Sequence, residues 1–143
     1  MNVITLEQAR TMIEAAFAKG RELNLKPLTI AVLDAGGALI ALERMNGASP
    51  MRPDIAIGKA NGAVQMGMGS RGLFKRAEEQ AFFIQAMNAL AKGSLVPVPG
   101  GVLVRDEEGR VAGAVGITGD TSDNDEACAV AGIKAAGFTA DAG

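Results

Sequence analysis

The sequence predicts an α+β domain in which a mainly antiparallel sheet carries helices on both faces, giving three layers. Three observations lead there. Two pairs of short apolar runs flank glycine-bearing turns, the pattern of hairpins and not of the alternating crossovers that build a parallel sheet. Helical periodicity fills the stretches around and between those hairpins. The run from Ile30 to Leu33 is apolar throughout, as expected of a strand covered on both sides. At 143 residues the chain fits one domain, 1–143, with enough length to bury a core.

Each element follows from a local signal. Thr5-Leu6-Glu7-Gln8 reads as a capping box, and Leu6, Ala9, Met12, Ile13, Ala16 and Phe17 then recur at helical spacing up to Gly20. Leu28 to Leu33 and Ala38 to Leu42 bracket Asp34-Ala35-Gly36-Gly37 as a hairpin, whose glycines can supply a positive φ. Asn46 to Pro53 reads as a loop, and Asp54 as the cap of a helix from Ile55 to about Met66 with Ile55, Ala60, Ala63 and Val64 inward. Gly67 to Gly72 is a break. A third helix is expected over Arg76 to Ala91, with Phe82, Phe83, Ala86, Met87 and Leu90 as its apolar residues. Val96-Pro97-Val98-Pro99 is too proline-rich for a central strand, whereas Val102-Leu103-Val104 and Val111 to Ile117 flank Asp106-Glu107-Glu108-Gly109 as a second hairpin. After the polar loop Gly119 to Asn124, a last helix is expected over Asp125 to Ala136.

Composition narrows the function. The chain has no His, Trp or Tyr, which removes Ser-His-Asp and Cys-His nucleophilic machinery, imidazole metal sites and the commonest haem ligands. A net charge of −2 and an aromatic content of 3% disfavour nucleic-acid binding. Cys128 is the single cysteine, so no disulfide or thiolate cluster can form within one chain. The first residues lack the basic start and apolar stretch of a secretion signal, and the most apolar stretch, Thr29 to Leu42, is broken by Asp34 and too short to cross a bilayer. A cytoplasmic protein without membrane partners is expected.

Several motifs invite chemistry. Gly67-Met68-Gly69-Ser70-Arg71-Gly72 matches the dinucleotide fingerprint literally, but a helical segment precedes it where a strand is needed, and a flexible inter-helix loop is the better reading. Asp120 to Glu126 is rich in carboxylates yet lacks the glycine and the terminal acid of a calcium loop, so it reads as a helix cap. Met45, Met51, Met66 and Met68 could line a cofactor pocket, although core or interface filling is commoner. Arg44 after the first hairpin, Lys59 on the next helix and the backbone of Pro99-Gly100-Gly101 could converge on one hollow and hold an anion. Solvated surface charge is the competing reading for both cations.

Val32-Leu33-Asp34-Ala35-Gly36-Gly37-Ala38-Leu39, Glu43-Arg44-Met45-Asn46-Gly47-Ala48, Asp54-Ile55-Ala56-Ile57-Gly58-Lys59-Ala60, Pro99-Gly100-Gly101-Val102 and Gly113 to Gly119 occur in the order found in the GlcG/HbpS-like family, which the chain resembles over almost its whole length. The resemblance implies a profilin-like α/β/α sandwich with a five-stranded antiparallel sheet, assembled as a homo-oligomer, and a haem or other tetrapyrrole as ligand. Asn61-Gly62 after Lys59-Ala60, and Leu103 where the family has proline, depart from the pattern. A haem iron would find neither His nor Tyr here, leaving Met, Cys128 or no protein ligand.

Two mechanisms are expected to compete. In the first, the protein binds a planar carboxylate-bearing small molecule, with Arg44 and Lys59 pairing the carboxylates beside Pro99, Gly100 and Gly101. In the second, it is a cofactor-independent lyase, isomerase or hydratase of a small catabolic intermediate, with Asp34 or Asp54 as acid–base group and Lys59 as clamp or base. A non-catalytic oligomeric accessory protein is the third reading.

Overall fold

The computed structural model of the chain describes residues 3–143. Met1 and Asn2, on which the expectation of an unsignalled start partly rests, lie outside them.

Helix α1 (Leu6–Glu22) opens on the expected capping box: Thr5 Oγ1 accepts from the Gln8 N–H at 3.1 Å, and the Gln8 side chain accepts from the Thr5 N–H at 2.9 Å. The helix runs through Gly20 instead of ending there. A Cβ at that position would stand 2.8 Å from Leu28 Cδ1, so the glycine serves packing and not termination. Strands β1 (Thr29–Asp34) and β2 (Leu39–Arg44) form the first hairpin, its turn tied by Asp34 Oδ1, which accepts from the N–H groups of Gly36 and Ala38 at 2.9 Å each.

Helix α2 (Arg52–Met66) starts earlier than expected. Pro53 lies in its first turn, where a missing N–H costs little, and Asp54 falls inside that turn instead of capping it. The single helix expected over 76–91 is two, α3 (Ser70–Glu79) and α4 (Ala81–Leu90), because Gln80 adopts φ −140° and ψ 64°. That bend lets Ile84 pack with Leu73 and Leu95, a tertiary gain that the continuous periodicity does not encode. The proline segment is indeed not a strand. Strands β3 (Gly101–Arg105) and β4 (Val111–Thr118) make the second hairpin, turned by Asp106 Oδ1 much as Asp34 turns the first. Helix α5 (Ser122–Ala135) begins ahead of the expected Asp125, on a Thr121 cap. A short β5 (Thr139–Asp141), unmarked in the periodicity, pairs with β3.

The sheet has five strands in the order β2-β1-β4-β3-β5, and every pair is antiparallel. Ile30, Val32, Val102, Val104, Val115 and Ile117 face Met12 and Ile133 of α1 and α5, while Leu33, Leu103 and Ala114 meet Ala60 and Ala63 of α2. Each such large side chain contributes about 1.5–3 kcal/mol on burial. The expected α+β, three-layer arrangement is therefore the observed one. Among the described residues, no helix is long and apolar enough to cross a membrane.

Candidate functional site

Small residues set how closely α2 approaches the sheet. A Cβ on Gly116 would overlap the Ala56 carbonyl oxygen, and one on Gly101 would overlap that of Lys59, so these two strand glycines let the helix backbone lie directly on the sheet. That contact carries Lys59 inward. Its Nζ donates to the Ile117 carbonyl at 2.9 Å and pairs with Asp125 Oδ2 of α5 at 3.3 Å, and Asp125 Oδ1 accepts from the Asp120 N–H at 3.0 Å. Lys59 and Asp125 are buried. Burial pulls the Lys59 ammonium below its usual value against the opposing pull of Asp125, and pushes the Asp125 carboxyl up against that of Lys59. Gly100, at φ +125°, closes over the ammonium: a Cβ there would stand 2.8 Å from Nζ. Pro99, Gly100 and Gly101 are buried beside it. Lys59 is thus a strut joining α2, β4 and α5.

Arg44 lies on a different part of the same sheet end. It is exposed and donates to the Ala48 carbonyl at 2.6 Å. Thr29 pairs in register with Arg44 on one side and Thr118 on the other, which places all three side chains on the α2 face of β2, β1 and β4. Arg52, at the start of α2, donates to Thr118 Oγ1 at 2.7 Å, and its charge is one of the influences that lower the Lys59 pKa. The sequence reading missed Arg52. It sits seven residues before Lys59, nearly two helical turns, and so on the same helix face.

The three proposed acid–base residues are not brought together. Asp34 pairs with Gly113, four residues along β4 from Ile117 and so about 13 Å away. Asp54 is exposed, and five residues separate it from Lys59, about 140° around the helix. Cys128 is buried and its thiol is pushed up to about 11 by that burial, with Asp125's charge adding to it.

Two cavities stand out, neither lined by Lys59 or Arg44. One, of about 570 Å³, lies at the opposite end of the sheet between the two hairpin turns, lined by Val3, Asp34, Asp106, Arg110 and their neighbours. The other, of about 410 Å³, lies between the C-terminal half of α2 and α4. Met66, Met87, Leu90 and Leu95 make its apolar wall, and Asn61, Gln65 and Lys92 its polar groups. Asn61 is anchored by donating to the Ser94 carbonyl at 2.9 Å, and Gln65 donates to Asn61 Oδ1 at 3.2 Å. Pockets of this size, mostly apolar with a few fixed polar groups, are the usual form of small-molecule sites. Of its lining only Met66 was marked by the sequence reading as a candidate pocket residue. Among the described residues, no group of three or more His, Cys, Asp or Glu side chains could hold a metal ion.

Known proteins share this architecture. The crystal structure of a PduOC:heme complex superposes with a TM-score of 0.85 at 22% identity, covering 96% of this chain and 97% of that one, a likeness of fold. A double mutant of Streptomyces reticuli HbpS gives a TM-score of 0.79 at 27% identity, over 94% of this chain and 87% of its own. A 15.0 kDa protein of Citrobacter freundii from the dhaT-dhaS intergenic region is 31% identical over 122 residues, 85% of this chain and 84% of that protein. The model of the family described as haem degrading protein HbpS-like matches residues 4–134, and the chain belongs to that family.

Proposed function

We propose that the protein binds a planar, carboxylate-bearing macrocycle of the tetrapyrrole class, haem being the family's example, in the cavity between α2 and α4. The observation that carries this reading is the cavity's lining. Met66, Met87, Leu90 and Leu95 offer an apolar wall to the faces of a flat ring, and Lys92 offers a cation to a peripheral carboxylate. Membership of a haem degrading family and the likeness to a haem complex support it.

The donor set fits the ring better than its metal. The chain contains neither imidazole nor phenol, and Cys128 is buried elsewhere, so thioether sulfur from Met66 or Met87 is what this cavity can present to an iron. When bound, haem would supply iron-centred redox chemistry. The chain's own contribution is to bind the ring, exclude water from one edge of it and neutralise a carboxylate. Self-association belongs to the same proposal, because α4 carries no charged residue and leaves Phe82 and Leu90 three-quarters exposed beside the cavity.

Hemin titration followed by absorption tests the reading. A saturable Soret shift is expected, with Leu90→Glu weakening binding at least tenfold. Lys92→Gln should weaken hemin about three- to fivefold while leaving hemin dimethyl ester unaffected, the scale of an exposed ion pair. No saturable shift, or one indifferent to both substitutions, overturns it.

A further inference from the structure

We propose that the protein binds a small organic carboxylate at the amino end of α2, between Arg44, Arg52 and the hydroxyl of Thr29. This place lies at the far end of α2 from the α2–α4 cavity, about 20 Å along the helix, so it stands independently of the tetrapyrrole reading.

Three observations converge there. Arg44 extends from β2 and Arg52 reaches from α2 to Thr118 of β4, on either side of Thr29 of β1, and like Arg10, Arg21 and Arg76 neither has a carboxylate within 4.0 Å among the described residues. Each guanidinium has five N–H donors, and one bond apiece, to Ala48 and Thr118, is what the structure gives them. Two guanidinium groups that flank Thr29 with spare donors are suited to an anion that bridges them. Finally, Thr29 lies in the row between Arg44 and Thr118, fully buried, and its Oγ1 has no hydrogen-bond partner. Buried hydroxyls are nearly always paired, and this one points to the α2 face, where an anion's oxygen would take its proton as a hydrogen bond.

The pieces specify the ligand. Two guanidinium forks and a hydroxyl donor match a planar carboxylate, which accepts bidentate bonds from arginine. Because Thr29 is closed to water, a ligand reaches its hydroxyl only when the groups that cover it move aside. Arg44 then exchanges a backbone carbonyl for the carboxylate.

Acetate and succinate, titrated into the full chain and followed by amide chemical shifts, test the site. Saturable shifts are expected at Thr29, Arg44, Ala48, Arg52 and Thr118. Arg44→Gln, an exposed change, should weaken binding about tenfold, and Arg52→Gln should do the same. Thr29→Val should weaken it severalfold while leaving the melting temperature unchanged or raised, since it removes an unpaired buried hydroxyl; a merely structural threonine would lower melting without touching affinity. Absence of saturable shifts, binding indifferent to Arg44→Gln, or sulfate binding as tightly as acetate would each overturn the proposal. A tetrapyrrole whose carboxylate used this site would lose affinity in Arg44→Gln, whereas one bound between α2 and α4 responds to Leu90→Glu, so the two readings fail separately.

Discussion

Lys59 shows how a residue's type can be read from the sequence while its surroundings cannot. Its type and its helix are visible in the sequence, but its partner Asp125 is 66 residues away, and no local signal couples them. A buried pair is costly to break. Lys59→Met should destabilise the fold by about 3–5 kcal/mol in denaturant melts, because it strands the Asp125 carboxylate, and the double change Lys59→Met with Asp125→Leu should recover most of that loss. The pair also predicts a pH signature. Lys59 titrates below 10.5 in the folded state, so in the window just under 10.5 the unfolded chain holds more protons and stability rises with pH. Asp125 titrates above 3.8, so just above 3.8 the folded chain holds more protons and stability falls as pH rises. The double variant should lose both slopes; a wild type without them would show that the two charges are not desolvated. Arg52 is the opposite case, a residue within reach of sequence reasoning. Its spacing from Lys59 puts both on one helix face, but reading 46–53 as a loop took Arg52 off the helix.

Elements were legible where the signal is local and obscured where packing between elements decides. The capping box of α1 and the Asp-tied turns of both hairpins are encoded within a few residues, and each appears where expected. Gly20, Pro53 and Gln80 defeat local reading for three separate reasons. Gly20 makes room for Leu28, Pro53 is tolerated in a first turn, and Gln80 bends the chain so that Ile84 reaches Leu73 and Leu95. The glycines of β3 and β4 are the clearest case, since in a strand they look like weakness. Here they are what allows α2 to lie on the sheet, and with it to place Lys59 and Arg52. Gly116→Ala therefore drives a methyl group into the Ala56 carbonyl oxygen, backbone that cannot rotate aside. Thermal and denaturant melts should show a loss of about 1–3 kcal/mol or more, the cost of overpacking a close interface. Gly109→Ala, with nothing within 4 Å of the added carbon, tests the turn alone; its φ of +79° should cost about 1 kcal/mol through backbone strain. If Gly116→Ala cost no more than Gly109→Ala, the close approach would not be the reason for the glycine.

At the scale of the whole molecule, the three layers follow from the apolar pattern, because a strand such as Thr29–Asp34, buried on both faces, demands cover on both. The fifth strand has no such pattern. Three residues at the sheet edge are ordered by pairing with β3, and nothing local announces them. The cavity between α2 and α4 escaped for a related reason: Met87 and Leu90 recur at helical spacing as core residues do, whereas beyond the bend at Gln80 Met87 is only partly buried and Leu90 is exposed. That displacement has a consequence for assembly. Helix α4 is built from Ala, Phe, Ile, Met and Leu with two amides, and Ile84 is its one buried residue. A face without charge can meet its own copy without repulsion, since a symmetric contact doubles whatever charge it carries. Light scattering of the purified chain should accordingly give a mass above that of one protomer. Phe82→Glu and Leu90→Glu, both at positions already open to water, should shift it to the monomer with little change in melting when measured at low concentration. A wild type that is monomeric at high concentration, or charged variants that associate just as well, would remove α4 from the interface and leave the cavity beside it open to solvent.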